Sequence, residues 1–141
     1  MILSVTSSAQ LAVLKFVGDA PSLAAKLMPL DLPVAAQQPP GSVASLCLDS
    51  KAGKLAVAFL GDPQPTVCVF ALQTSPACVA HLVARLTPPG NTVSQKSASQ
   101  LGPGLSLRSR VAHDGVNRSA QTLGSVLAVA WPSGGVGIYN V

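Results

Sequence analysis

The stretch "KLAVAFLGDPQPTVCVFAL", Lys54 to Leu72, decides how this chain folds. It consists of an apolar run, a break holding Pro63 and Pro65, and a second apolar run. The prolines prevent the two runs from joining into one helix, and each run alone has the length of a strand. In the first run, read as a strand, Leu55, Val57 and Phe59 point one way and Ala56, Ala58 and Leu60 the other. In the second, Val67, Val69 and Ala71 lie opposite Thr66, Cys68, Phe70 and Leu72. Neither run alternates apolar with polar. Both faces of both strands therefore require cover.

The flanks extend the pattern. Before this stretch, "VASLCL" (Val43 to Leu48) is a short apolar run that ends on Asp49 and the turn "DSKAGK". After it, "QTSPAC" breaks the chain again and "VAHLVARL" (Val79 to Leu86) alternates in part, with His81 and Arg85 on a wetter edge. Residues 43–86 thus predict four consecutive strands joined by turns. Inner strands that are apolar on both sides, with a wetter outer strand, suit a sheet sandwiched between other sheets, as a propeller blade is.

The run–turn–run unit recurs at "MILSVTSSAQLAVLKFV" (Met1 to Val17) and "SVLAVAWPSGGVGIYNV" (Ser125 to Val141). Three similar hairpins in one chain read as an internal repeat, spaced more widely than the roughly 40 to 45 residues of a plain four-stranded blade. The excess falls in two inserts. Residues 18–42 are expected to be an insert or linker, with one helical turn around Ser22 to Leu27 that Pro29 stops. Residues 87–122, rich in Ser, Gly and Pro, are expected to form a disordered basic loop. The predicted organisation is all-β: an incomplete hairpin at 1–17, a four-stranded blade at 43–86 and an incomplete hairpin at 123–141. The remaining blades are expected upstream of Met1 or from another chain.

Composition narrows the function. Apolar residues make up 48% and charged residues 10%, so the chain favours buried sheet surface over a solvated one. The net charge is +4, and residues 87–122 carry much of it through Lys96, Arg108, Arg110 and Arg118 against Asp114. With one Trp and one Tyr, stacking platforms are scarce, and direct nucleic-acid binding is not expected. Cys47, Cys68 and Cys78 are odd in number and lack C-x-x-C spacing, which excludes a zinc framework or a disulfide scaffold and suits a reducing compartment. The uncharged stretch from Ser119 to Val141 is long enough to span a bilayer, but Pro132, Gln121 and four glycines make it a poor spanning helix.

No catalytic or metal constellation is legible. His81 and His113 are far apart and have no partners at ligand or triad spacing. Asp49 and Asp62 read as turn formers rather than an acid–base pair. "AGKLAV" lacks the second glycine of a phosphate loop, and "GGVG" precedes no helix. "NRS" (Asn117 to Ser119) fits a glycosylation acceptor without a secretory context. Ser106 and Ser109, beside Arg108 and Arg110, suggest a phosphorylation site. No catalytic, cofactor or metal residue is predicted, the expected cofactor is none, and no single residue is identified as a binding contact.

The repeat resembles WD-repeat propellers. "VASLCLDSKAGKLAVAF" looks like the strand, Asp-x-x-Gly turn and strand of such a repeat, although Phe70-Ala71 and Tyr139-Asn140 stand where the family often has Trp-Asp. Within that superfamily the chain is similar to the last part of aladin-like WD-repeat nucleoporins. Gly53, Leu55, Ala56, Val57, Phe70, Ser75, Pro76, Trp131, Ser133 and Gly134 occupy the matching places, and "PLDLP" (Pro29 to Pro33) matches a preceding segment. The similarity covers about half the chain. It does not extend to residues 87–122, and the first strand expected before Gly124 is missing or degraded. The resemblance implies a partial WD-type β-propeller and a non-enzymatic scaffold subunit of the nuclear pore complex at the nuclear envelope. Such a subunit would bind other nucleoporins, including a membrane-embedded pore protein, and support nucleocytoplasmic transport. A generic WD-repeat adaptor in a ubiquitin-ligase or coat assembly is the alternative, and a small enzyme of an unrelated β class the third reading.

Overall fold

The computed structural model describes residues 2–5, 11–17, 24–29, 43–60, 64–73, 79–90, 102–113 and 120–141. The ordered elements among them are all strands: β1 (Ile2–Val5), β2 (Leu11–Val17), β3 (Ala24–Pro29), β4 (Val43–Asp49), β5 (Lys54–Phe59), β6 (Thr66–Gln73), β7 (Val79–Leu86), β8 (Gly104–His113), β9 (Ala120–Ala130) and β10 (Val136–Asn140). They form three antiparallel meanders in chain order: β1-β2-β3, β4-β5-β6-β7 and β8-β9-β10. The chain is all-β, and the four strands expected over 43–86 form the middle sheet.

The middle sheet is buried as its sequence requires. Leu55, Ala56, Val57 and Ala58 on β5 and Val67, Val69 and Phe70 on β6 are fully shielded from solvent, so both faces of both inner strands are covered within this chain. This departs from the expectation that cover would need a larger ring. One face carries the cross-strand row Leu48–Leu55–Phe70–Leu82, the other the rows Cys47–Ala56–Val69–Ala84 and Ser45–Ala58–Val67–Leu86. On β7 a register shift between Val69 and Phe70 leaves Val83 as the extra residue. A bulge transfers the following residues to the opposite face. Ala80 and Leu82 accordingly pack on one side of the sheet, Ala84 and Leu86 on the other.

Two expectations are corrected. The helical turn expected at Ser22 to Leu27 is replaced over its described residues by strand: Ala24–Pro29 is an edge strand paired with β2, from Val17↔Ala24 to Ala12↔Pro29. Pairing with a β-branched and aromatic neighbour outweighs the helix preference of Ala, Lys, Leu and Met, and a proline at the end of an edge strand breaks no ladder. Residues 87–122 are not one disordered loop, because Gly104–His113 is a strand of ten residues. Its average polarity conceals an alternation in which Leu105 and Leu107 face inward while Ser106, Arg108 and Arg110 face out. This strand is the partner that appeared to be missing before Gly124, and it turns the expected terminal hairpin into a three-stranded sheet.

Candidate functional site

The C-terminal sheet has two unlike faces. Its inner face is a grid of three rows: Leu105–Val129–Gly137, Leu107–Leu127–Tyr139, and Ser109–Ser125 extended by Val141. Leu107, Leu127, Val129 and Trp131 are buried there against Ala56, Ala58, Val67 and Val69 of the middle sheet. Burying such side chains contributes about 1.5 to 3 kcal/mol each. The approach is closest along the first strands, where β8 lies against β4 and β5. Small residues permit this. A methyl group on Gly102 would collide with Ala44, and Ala56 and Ala58 leave room for the β8 backbone.

Alternate residues of β4 tie the two sheets together. Ser45 Oγ donates to the carbonyl of Pro103 at 2.6 Å. The Leu107 amide donates to Cys47 Sγ at 3.3 Å. Asp49 accepts from Ser109 Oγ at 2.6 and 2.5 Å and from Ser125 Oγ at 3.0 Å, while the Lys51 and Ala52 amides hold its Oδ1 at 3.1 and 3.2 Å. Asp49 is thus the turn former the sequence suggests, but its carboxylate also clamps the next sheet. Burial pushes the carboxyl up, and the hydrogen bonds from Ser109, Ala52, Ser125 and Lys51 outweigh burial and hold it below its ordinary value. A carboxylate so saturated is a structural acceptor rather than a proton-transfer group.

The outer face of the same sheet is open. Its rows are Gly104–Ala130–Val136, Ser106–Ala128–Ile138 and Arg108–Val126–Asn140. Val136 is 68% exposed and Ile138 71%. Ser106, Arg108, Ser109, Arg110, Val126 and Ala128 line a shallow groove at its β8 side. A second bulge, between Ser109 and Val111, releases Arg110 from the register, and its Nη1 donates to Asn140 Oδ1 at 3.4 Å. Both guanidinium groups therefore stand over one row of the face.

The other residues singled out in the sequence are dispersed. His81 is exposed on β7, and His113 closes β8. Asp62, Cys78 and the Asn117–Ser119 motif lie outside the described residues. Among the described residues no group of three or more His, Cys, Asp or Glu could hold a metal ion. Ser109 is half-buried on Asp49, which removes it as an accessible phosphorylation site, whereas Ser106 is exposed. Cys68 is buried, and burial pushes its thiol up despite nearby Arg85. The Ser119–Val141 stretch forms strand pairs from Ala120 onward, and among the described residues no helix is long and apolar enough to cross a membrane. The average polarity of residues 87–122 hides this open face in the sequence. The alternation "LSLRSR" is the signal that reveals it. No protein-family model matches this chain, nor does any curated protein or solved structure.

Proposed function

We propose that this chain is a non-enzymatic scaffold, part of a WD-type β-propeller whose C-terminal sheet docks against another protein sheet or segment. The observation that carries the reading is the stacking of two successive meanders, first strand upon first strand, beneath a further face that displays Val136 and Ile138 to solvent. Stacked meanders close at the first strand are the working unit of a propeller, and an exposed apolar face marks an interaction surface. The Asp49–Ser109–Ser125 cluster, which would be the natural place for chemistry, joins sheets instead.

Together with the aladin-like features of β5, β6, β9 and β10, this supports a nuclear pore subunit that binds neighbouring nucleoporins, including a membrane-embedded one, at the nuclear envelope. The test is proximity labelling from the tagged full chain in cells. Labelling of pore-membrane components that is lost in Ile138→Asp is the expected result. Recovery of ubiquitin-ligase or coat subunits in their place would move the assignment to a generic adaptor.

A further inference from the structure

We infer that the open face of the C-terminal sheet receives an extended, acidic segment of a partner protein. Its carboxylate would sit on Arg108 and Arg110, and its branched apolar side chains on Val126, Ala128 and Ile138. The inference rests on the reading of this face as a docking surface and adds the chemistry of the occupant.

The interface already formed supplies the pattern. There the first strand of the middle sheet brings a carboxylate, Asp49, to hydroxyl donors of the sheet stacked on it. On the open face the charged groups of the first strand β8 are both donors, the guanidinium groups of Arg108 and Arg110, and the hydroxyl of exposed Ser106 beside them can donate or accept. A covering segment must therefore carry the acceptors, and a carboxylate matches a guanidinium in both charge and geometry. Asp49, the sole acidic side chain among the described residues, is held on the opposite face. Beside the arginines the floor is aliphatic, which selects an occupant with alternating acidic and branched apolar residues, in the manner of a strand. The same floor argues against nucleic acid. Trp131 is buried and Tyr139 packs on the inner face, so the groove offers no aromatic platform for a base.

The test selects a random twelve-residue phage library on the immobilised full chain, then measures selected synthetic peptides by fluorescence anisotropy. Selected sequences should be enriched in Asp or Glu beside Val or Ile. Their Kd should weaken about tenfold or more for Arg108→Gln with Arg110→Gln, roughly the loss of one charge-assisted contact. Ile138→Asp should weaken binding as well, and an oligo(U) 12-mer should not compete. Trp131 fluorescence, from the opposite face, checks that each variant keeps its fold. Peptides that depend on Ile138 but show no acidic bias or arginine dependence would overturn the acidic partner and leave the docking face standing. Failure to select any peptide, or binding indifferent to Ile138 and both arginines, would overturn both readings. Competition by the RNA with the same arginine dependence would replace the acidic segment with a polyanion.

Discussion

Replacing Asp49 by Ala tests the join between the sheets most directly. The carboxylate is 7% exposed and serves four donors: two hydroxyls of the C-terminal sheet and two amides of its own turn. Ser125 is 1% exposed, so losing its acceptor leaves a buried hydroxyl unsatisfied, which costs about 1 to 2 kcal/mol. Half-buried Ser109 regains water in part, for about 0.5 to 1 kcal/mol. The two turn amides resemble a lost cap, at about 0.5 to 1 kcal/mol together. The sum is about 2 to 4 kcal/mol, which at a urea dependence of about 2 kcal/mol per molar moves the midpoint down by about 1 to 2 M. Trp131, the only tryptophan and 4% exposed in this interface, reports the transition by fluorescence. Asp49→Asn keeps one acceptor oxygen, and the serine hydroxyls can turn to accept from its amide, so it should lose about half as much. Because the folded carboxyl titrates below its unfolded value of about 3.9, its contribution is complete above that value and disappears as pH falls through the folded one. The gap between wild type and Asp49→Asn should therefore narrow on acidification. An Asp49→Ala midpoint within about 0.2 M of wild type, or a gap that does not change with pH, would refute the clamp.

Four further outcomes follow from the packing. Trp131→Ala should cost about 3 to 5 kcal/mol, whereas Trp131→Phe should cost far less, because no acceptor meets the buried Nε1 among the described residues; urea unfolding followed by circular dichroism checks both. Gly102→Ala should force the sheets apart at Ala44 and destabilise by about 1 to 3 kcal/mol by the same measurement. Val83→Lys, at the exposed bulge, should stay within about 0.5 kcal/mol of wild type, while Leu82→Lys one residue earlier, partly buried against the core, should destabilise by about 1 to 3 kcal/mol, both read by urea unfolding. Cys68 should react with a thiol reagent such as DTNB only when the protein unfolds, because burial both blocks access and disfavours the thiolate; mass mapping of the modified cysteine in the folded protein would show otherwise.

The sequence is most legible where burial is most complete. Residues 55–60 and 67–72 are apolar on both faces, and with prolines between them an inner strand is the arrangement that uses both, so β5 and β6 could be read with their faces assigned. Strand β8 was illegible for the opposite reason. Its polar face looks toward solvent, and Ser, Arg and Gly dominate any average taken over 87–122, although Leu105 and Leu107 already mark the buried side. β3 was lost because Ala, Lys and Leu carry a helix preference that only the pairing with β2 overrides. Asp49 was half-read. Its position before "SKAG" explains the two turn amides, but nothing near it in the chain announces Ser109 and Ser125, 60 and 76 residues away.

That last gap points to how stacked sheets find their register. Apolar grids of Ala, Val and Leu attract any similar grid, so burial supplies cohesion with little preference for one partner or one alignment. Ser45, Cys47 and Asp49 add the preference. They occupy every second position of one strand, so all three address the same neighbour, and each meets a different group on β8 or in the segment leading into it: the Pro103 carbonyl, the Leu107 amide and the Ser109 hydroxyl. A slip of β8 by one residue would present Arg108 or Arg110 to the Asp49 clamp and turn Leu107 to the solvent side, losing hydrogen bonds and burial together. The outer face repeats this construction with the charges reversed, as Arg108 and Arg110 stand on alternate positions of the first strand beside an apolar floor. Between the middle and C-terminal sheets, polar groups on the first strands thus set the alignment and the strands behind them supply adhesion. A covering segment without carboxylates would satisfy the apolar floor and still leave both guanidinium charges uncompensated, with Arg110 held only by the neutral amide of Asn140.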